Sequence, residues 1–150
     1  MREFKVIPYK AIGPAKLGMT RAEIRKVLGE PSSVEEAHVK WGIEFPDKDY
    51  FFKNAFQVSY DANLKAEFIE ISGEDGYIVT FDGIPVHSSP PEEVLAAIRK
   101  HAQPDESDSE YPTNQFFPDL DLSLYREHSD EDRFDAIGIS SRNYGRNEDG

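Results

Sequence analysis

The 150-residue chain has no cysteine, which excludes disulfides, thiolate metal sites and a cysteine nucleophile together. That absence suits a reducing cytosol. No apolar run approaches the roughly 18 residues of a membrane span, and residues 1–6 carry none of signal-peptide length. The expectation is a soluble, cytoplasmic protein with no membrane partner. Basic charge is scarce: 17 Lys and Arg stand against 29 Asp and Glu, a net charge of −12. The deficit is lopsided. Residues 1–75 hold 13 acids and 11 bases, whereas residues 76–150 hold 16 acids and 6 bases. Between positions 105 and 135, 11 acids face only Arg126 and Arg133. Such a field repels nucleic acid and anionic lipid and attracts basic partners. Solubility alone is the blander reading of the same charge.

Catalytic signatures are missing as well. There is no phosphate-cradling glycine loop, nucleophile elbow or zinc motif. His38, His87, His101 and His128 fall on different predicted elements, with no pair at metal-ligand spacing. Residues 129–132 are acidic but lack the alternating acids, glycine and closing glutamate of a calcium loop. Paired carboxylates abound, yet catalysis needs two with divergent environments in one cleft. The expectation is no enzyme, no metal and no cofactor.

What is present is a repeat. Residues 50–60 read Tyr-Phe-Phe-Lys-Asn-Ala-Phe-Gln-Val-Ser-Tyr, and residues 115–125 read Gln-Phe-Phe-Pro-Asp-Leu-Asp-Leu-Ser-Leu-Tyr. Each has a Phe-Phe pair, a short polar turn, then alternating apolar residues ending in Tyr. Internal similarity of this kind governs the fold.

In chain order, residues 4–7 read as a strand that ends at Pro8. Thr20 and Glu23 form a capping box ahead of a short helix with Ile24, Val27 and Leu28 on its apolar stripe. Gly29 and Pro31 end it. Residues 34–41 alternate as a strand, and residues 42–48 read as a loop. Strands at 49–53, 56–60 and 65–72 make a meander. The pattern then restarts: a strand at 77–81, then a helix that Ser88 or Ser89 caps before Pro90-Pro91. Val94, Leu95 and Ile98 give it a stripe. A polar loop at 103–113, expected to be mobile, leads to strands at 115–118, 121–126 and 133–140.

The predicted class is α+β. It is a tandem duplication of a helix plus an antiparallel β-meander, with the helices on one face of the sheet. Residues 1–75 form the first repeat, 76–141 the second, and 142–150 a frayed tail, all in one compact unit.

The run Ile12-Gly13-Pro14-Ala15-Lys16-Leu17-Gly18-Met19-Thr20, continuing through Leu28-Gly29-Glu30-Pro31, carries a resemblance. It is similar to the Leu-Gly-Met-Thr, helix, Leu-Gly-Pro segment of small outer-membrane assembly lipoproteins. Small bacterial cytosolic proteins, some associated with toxin–immunity loci, share it. The duplicated layout resembles the tandem-repeat fold of the secreted beta-lactamase inhibitor protein. The first segment covers about a fifth of the chain and the layout most of it. A signal sequence, a lipidated cysteine and disulfides belong to the proteins it resembles and are not found here. The resemblance implies a fold and a binding role, not a lactamase target or an anchor.

The leading expectation is therefore a non-catalytic protein-binding module, an acidic inhibitor or immunity-type protein that grips a basic partner such as a toxin domain. The helix-free sheet face should carry Trp41, Tyr50, Phe68, Glu70 and Tyr125. Asp119, Asp121, Asp130, Glu131 and Asp132 supply the acidic surroundings, since aromatic anchors dominate hot spots. For Trp41 a place in the core is the favoured competing reading, and Phe68 and Tyr125 could equally fill a second small core. An alternative is a small-ligand-binding protein that uses the aromatic-lined face. A third is a structural domain that self-assembles through edge strands.

Overall fold

The computed structural model describes residues 2–141. It is a mixed α+β chain, with two helices and mostly antiparallel sheets among the described residues. The 142–150 tail lies outside them.

The first strand, β1 (Arg2–Ile7), alternates exposed and buried residues and turns back into β2 (Ala11–Ile12) and β3 (Ala15–Lys16). It also pairs with β10 (Tyr77–Phe81), which continues into β11 (Ile84–Pro85). The order of this five-stranded sheet is β11-β10-β1-β2-β3. The β1–β10 pairing is parallel, with Phe4 opposite Val79, whereas every pairing in the meanders is antiparallel. Phe4 stacks on Tyr77 at 5.1 Å between ring centroids and meets Phe56 edge-on at 5.9 Å. Aromatic pairs favour both geometries. Gly13, at φ +59°, sits where a Cβ would lie 2.6 Å from the Phe4 ring, so both conformation and space demand glycine.

Helix α1 (Arg21–Leu28) starts at the expected capping box: Thr20 Oγ1 accepts from the Glu23 amide, and the Glu23 carboxylate accepts from the Thr20 amide. Gly29, at φ +93°, ends it. Ile24 and Leu28 are buried. Helix α2 (Pro91–Arg99) differs from expectation at its start. Pro90 holds the cap position, with no side-chain hydrogen bond. A residue before proline is driven to extended backbone, so the Pro90-Pro91 pair moves the cap one residue past Ser89.

The largest sheet has seven strands. It contains β4 (Ser33–Glu35), β7 (Lys48–Phe51), β8 (Phe56–Tyr60), β9 (Ala66–Ser72), β12 (Gln115–Phe117), β13 (Leu122–Tyr125) and β14 (Ala136–Ser140), in the order β12-β13-β14-β9-β8-β7-β4. At its centre β9 pairs antiparallel with β14, placing Ile69 opposite Ile139 and Ile71 opposite Ile137. These four, with Phe56, Val58, Leu122 and Leu124, form the buried face. One hydrophobic cluster joins them to Phe4 and Val79 of the smaller sheet and to Ile24, Leu28, Val94 and Ile98 of the helices.

The expected strand at 34–41 and loop at 42–48 are both corrected. The chain breaks after β4, and β5 (His38–Lys40) and β6 (Ile43–Phe45) form a separate hairpin. The break has a cause: the Ala37 amide donates to Asp47 Oδ1 at 2.8 Å instead of joining a ladder. The polar segment at 103–113 is built from local turns, with the Asp105 amide tied to Phe116 O at 2.8 Å and the Glu110 amide to Asp108 Oδ1 at 2.9 Å.

Asp49, fully buried on β7, fixes α1 to the large sheet. Arg25 donates Nη2 to its Oδ1 at 2.8 Å and Nε to its Oδ2 at 2.9 Å. Arg21 Nη2 reaches Oδ1 at 2.9 Å, and the Tyr60 hydroxyl donates to Oδ2 at 2.9 Å. Arg21 and Arg25 converge because residues four apart share a helix face. Burial would raise the Asp49 pKa, but the hydrogen bonds from Arg25, Arg21 and Tyr60 outweigh it and hold the carboxyl below its ordinary value. Asp49→Asn should lower stability by about 3–5 kcal/mol, because breaking a buried pair strands the other charges. Urea unfolding will show this as a lower midpoint at unchanged slope. The wild-type contribution is present above the ordinary aspartate pKa and is lost as pH falls through the depressed folded-state value. The gap between wild type and variant should therefore close in strong acid.

Candidate functional site

One row of residues crosses the large sheet on the face away from the isoleucines. The register runs Tyr50–Gln57–Glu70–Gly138–Ser123–Phe116. All but Gly138 are partly exposed. Period-two alternation puts Phe68 and Tyr125 on the same face, where Phe68 is half-buried and Tyr125 is 47% exposed. Four of the expected site residues, Tyr50, Phe68, Glu70 and Tyr125, thus share a surface.

Gly138 shapes that surface. A Cβ there would meet the Phe68 ring at 3.0 Å, so the ring occupies the room that glycine leaves. Next to it lies a cavity of about 200 Å³, with Glu70, Ser123, Tyr125 and Gly138 on the sheet side and Glu110 and Asn114 on the loop side. The acidic loop therefore rims the face. Burial pushes the Glu70 carboxyl above its ordinary pKa, and the nearby charge of Lys48 only partly offsets this. Burial also raises the Tyr50 hydroxyl, helped by the charges of Glu35 and Glu70.

The other expected site residues lie elsewhere. Trp41 is neither in the core nor on the sheet: it is 84% exposed at the tip of the β5–β6 hairpin, at φ +53°. Alternation of Ala37, Val39 and Trp41 predicts a half-buried strand, but among the described residues β5 pairs with β6 alone. Asp121 is buried, with its carbonyl accepting from the Ser140 amide at 3.0 Å and the Ser140 hydroxyl at 3.1 Å, so it offers no surface charge. Asp119 is exposed, and its carbonyl accepts from the Tyr9 hydroxyl at 2.6 Å. Asp130 is exposed in the β13–β14 connection. Glu131 and Asp132 line a depression beside Pro90 and Pro91 at the start of α2, together with Arg126 and Arg133.

Sequence reasoning missed two features. The first is a groove of about 570 Å³ between the β5–β6 hairpin and the residues that follow β8. The second is a cluster of Glu127, His128 and Glu131, whose ligand atoms lie within 4.8 Å of one another. Exposed acidic groups gather this closely without an ion, and nothing else at that turn points to a metal.

No protein-family model, no curated protein and no solved structure matches the chain. Among the described residues no helix is long and apolar enough to cross a membrane.

Glu70→Gln should stabilise the protein at neutral pH. A carboxyl whose pKa is raised on folding contributes most below its unfolded value and loses that contribution as pH rises through the folded one. Thermal melts should show the variant ahead at pH 7 and level with wild type near pH 4.

Proposed function

We propose that this protein is a non-catalytic, cytoplasmic protein-binding module that captures a basic partner, in the manner of an inhibitor or immunity protein. The observation that carries this reading is the continuous, half-exposed row across the large sheet, with aromatic side chains on it and an acidic loop along its rim. A rigid sheet presenting Tyr50, Phe68 and Tyr125 orders few side chains on binding, which favours affinity. The net charge of −12 speeds encounter with a basic surface.

The architecture beneath is proposed to be two copies of one unit, with helices packed on the buried side. Support comes from the strand order, in which β9-β8-β7 and β14-β13-β12 run outward from a common seam. Glu70 pairs with Gly138 at that seam, and these are equivalent positions when Ile69-Glu70-Ile71 is aligned with Ile137-Gly138-Ile139.

A small-ligand role for the sheet face is the second reading, and the cavity beside Gly138 is the observation in its favour. At about 200 Å³ it is smaller than the roughly 300–1,000 Å³ usual for ligand pockets. A protein partner fits the face better.

The test is capture of partners from the native cytoplasm by tagged protein, washed at low and high salt. One basic protein released by salt is the expected result. Tyr125→Ala and Glu110→Lys should each weaken that complex by about tenfold or more. A complex indifferent to salt and to both substitutions would overturn the proposal.

A further inference from the structure

The β5–β6 hairpin and the groove beneath it form a surface that shares no residue with the sheet row. The hairpin exposes three large apolar residues: Val39 is 67% exposed, Trp41 84% and Ile43 56%. Trp41 and Gly42 both have positive φ at the tip. Such two-residue turns favour Asn-Gly, so a tryptophan there runs against local preference.

The root of the hairpin is held. The Ala37 amide donates to Asp47 Oδ1, and the Tyr60 amide donates to Asp47 O at 2.9 Å. Arg21, already fixed on Asp49, lies 3.7 Å from Asp47 and 3.9 Å from Glu36. The tip is thus presented from a clamped base.

Glu44, Asp47, Asp61 and Glu67 line the groove, and no lysine or arginine does. Asp47 and Asp61 are engaged internally, Asp61 with the amides of Asn63 and Lys65. Glu44 and Glu67 have no hydrogen bond or ion pair from their carboxylates among the described residues. Burial and then the charge of Asp61 raise the Glu67 pKa, a penalty that an incoming cation would relieve. His38 stacks on Phe45 at 4.9 Å with the rings 11° apart, and both residues line the groove.

We infer that the hairpin tip and groove dock an arginine-bearing segment of a basic protein. Its guanidinium enters the groove toward Glu44 and Glu67, against the His38–Phe45 stack, and a neighbouring apolar side chain covers Trp41. A planar guanidinium stacks on aromatic faces and pairs with carboxylates, whereas an ammonium lacks the stacking face. Trp41 already accepts a cation, with Lys40 Nζ 4.4 Å from its ring centroid. A second copy of this chain is disfavoured by the net charge of −12. An anionic lipid surface is disfavoured by the groove carboxylates.

The experiment titrates the isotopically labelled full chain with an alternating arginine–leucine octapeptide, with lysine–leucine and glutamate–leucine octapeptides alongside. NMR follows the Trp41 indole and the amides of residues 37–47 and 60–67. Saturable shifts confined to those residues are expected with the arginine peptide, weaker ones with lysine and none with glutamate. Trp41→Ala, and Glu44→Gln combined with Glu67→Gln, should each weaken arginine-peptide binding by about tenfold. Unchanged amide dispersion outside the hairpin would show that both variants fold. Three results would overturn the inference: shifts gathered instead on residues 68–72 and 121–125, affinity unchanged in the variants, or lysine binding as tight as arginine. A concentration-dependent dimer that Trp41→Ala abolishes would do so too, by naming a second copy as the occupant. The sheet-face proposal is tested separately through Tyr125 and Glu110, so either can fail alone.

Discussion

The antiparallel pairing of β9 with β14 is the contact on which the rest depends. It joins segments almost seventy residues apart and merges two meanders into one seven-stranded sheet. Four isoleucines meet across it, each fully buried. Burying one such side chain is worth about 1.5–3 kcal/mol, so the seam outweighs any surface feature of the molecule. It also prevents two central strands from becoming exposed edges, which would invite pairing with other chains. On the opposite face the same seam sets Glu70 against Gly138. Without that pairing there would be no continuous row from Tyr50 to Phe116 and no cavity beside the glycine.

A second constraint acts at one end of the sheet. Asp49 is a buried carboxylate that tolerates its position only because Arg21, Arg25 and Tyr60 surround it. The consequence reaches beyond stability. Arg21 also lies beside Asp47 and Glu36 at the root of the β5–β6 hairpin. One ionic centre therefore secures the helix, the outer strands and the base of the exposed arm. The molecule separates its tasks: apolar packing at the seam holds the sheet, and charge at the edge orients what projects from it.

Much of this was legible locally. Thr20 and Glu23 announced a capping box, Gly29 marked the end of α1, and the alternation in 56–60, 65–72 and 133–140 sorted residues onto the two faces. Parity set Phe68 opposite Ile69 and Ile71 and Tyr125 opposite Leu124, while the register across strands brings Tyr50 and Glu70 onto that surface and leaves Trp41 off it. What was not legible depended on distant partners. Nothing in the first strand signals that residues 2–5 pair in parallel with residues 77–80. Trp41 has the spacing of a buried strand residue, yet it sits in the positive-φ turn of a two-stranded hairpin and is exposed. Asp121 looks like surface charge in sequence, yet a positive-φ turn before β13 turns it inward. The groove under the hairpin combines residues from two separate stretches, 37–47 and 60–67, and no local pattern links them.

Native-state hydrogen exchange across β9 and β14 tests the central claim most directly. If the seam makes one cooperative sheet, amides of both strands should exchange only through global unfolding, with matching free energies that equal the stability measured by denaturant. If the β12–β14 amides exchange at a distinctly lower free energy than those of β7–β9, the two meanders open independently. The row from Tyr50 to Phe116 would then not persist as a unit.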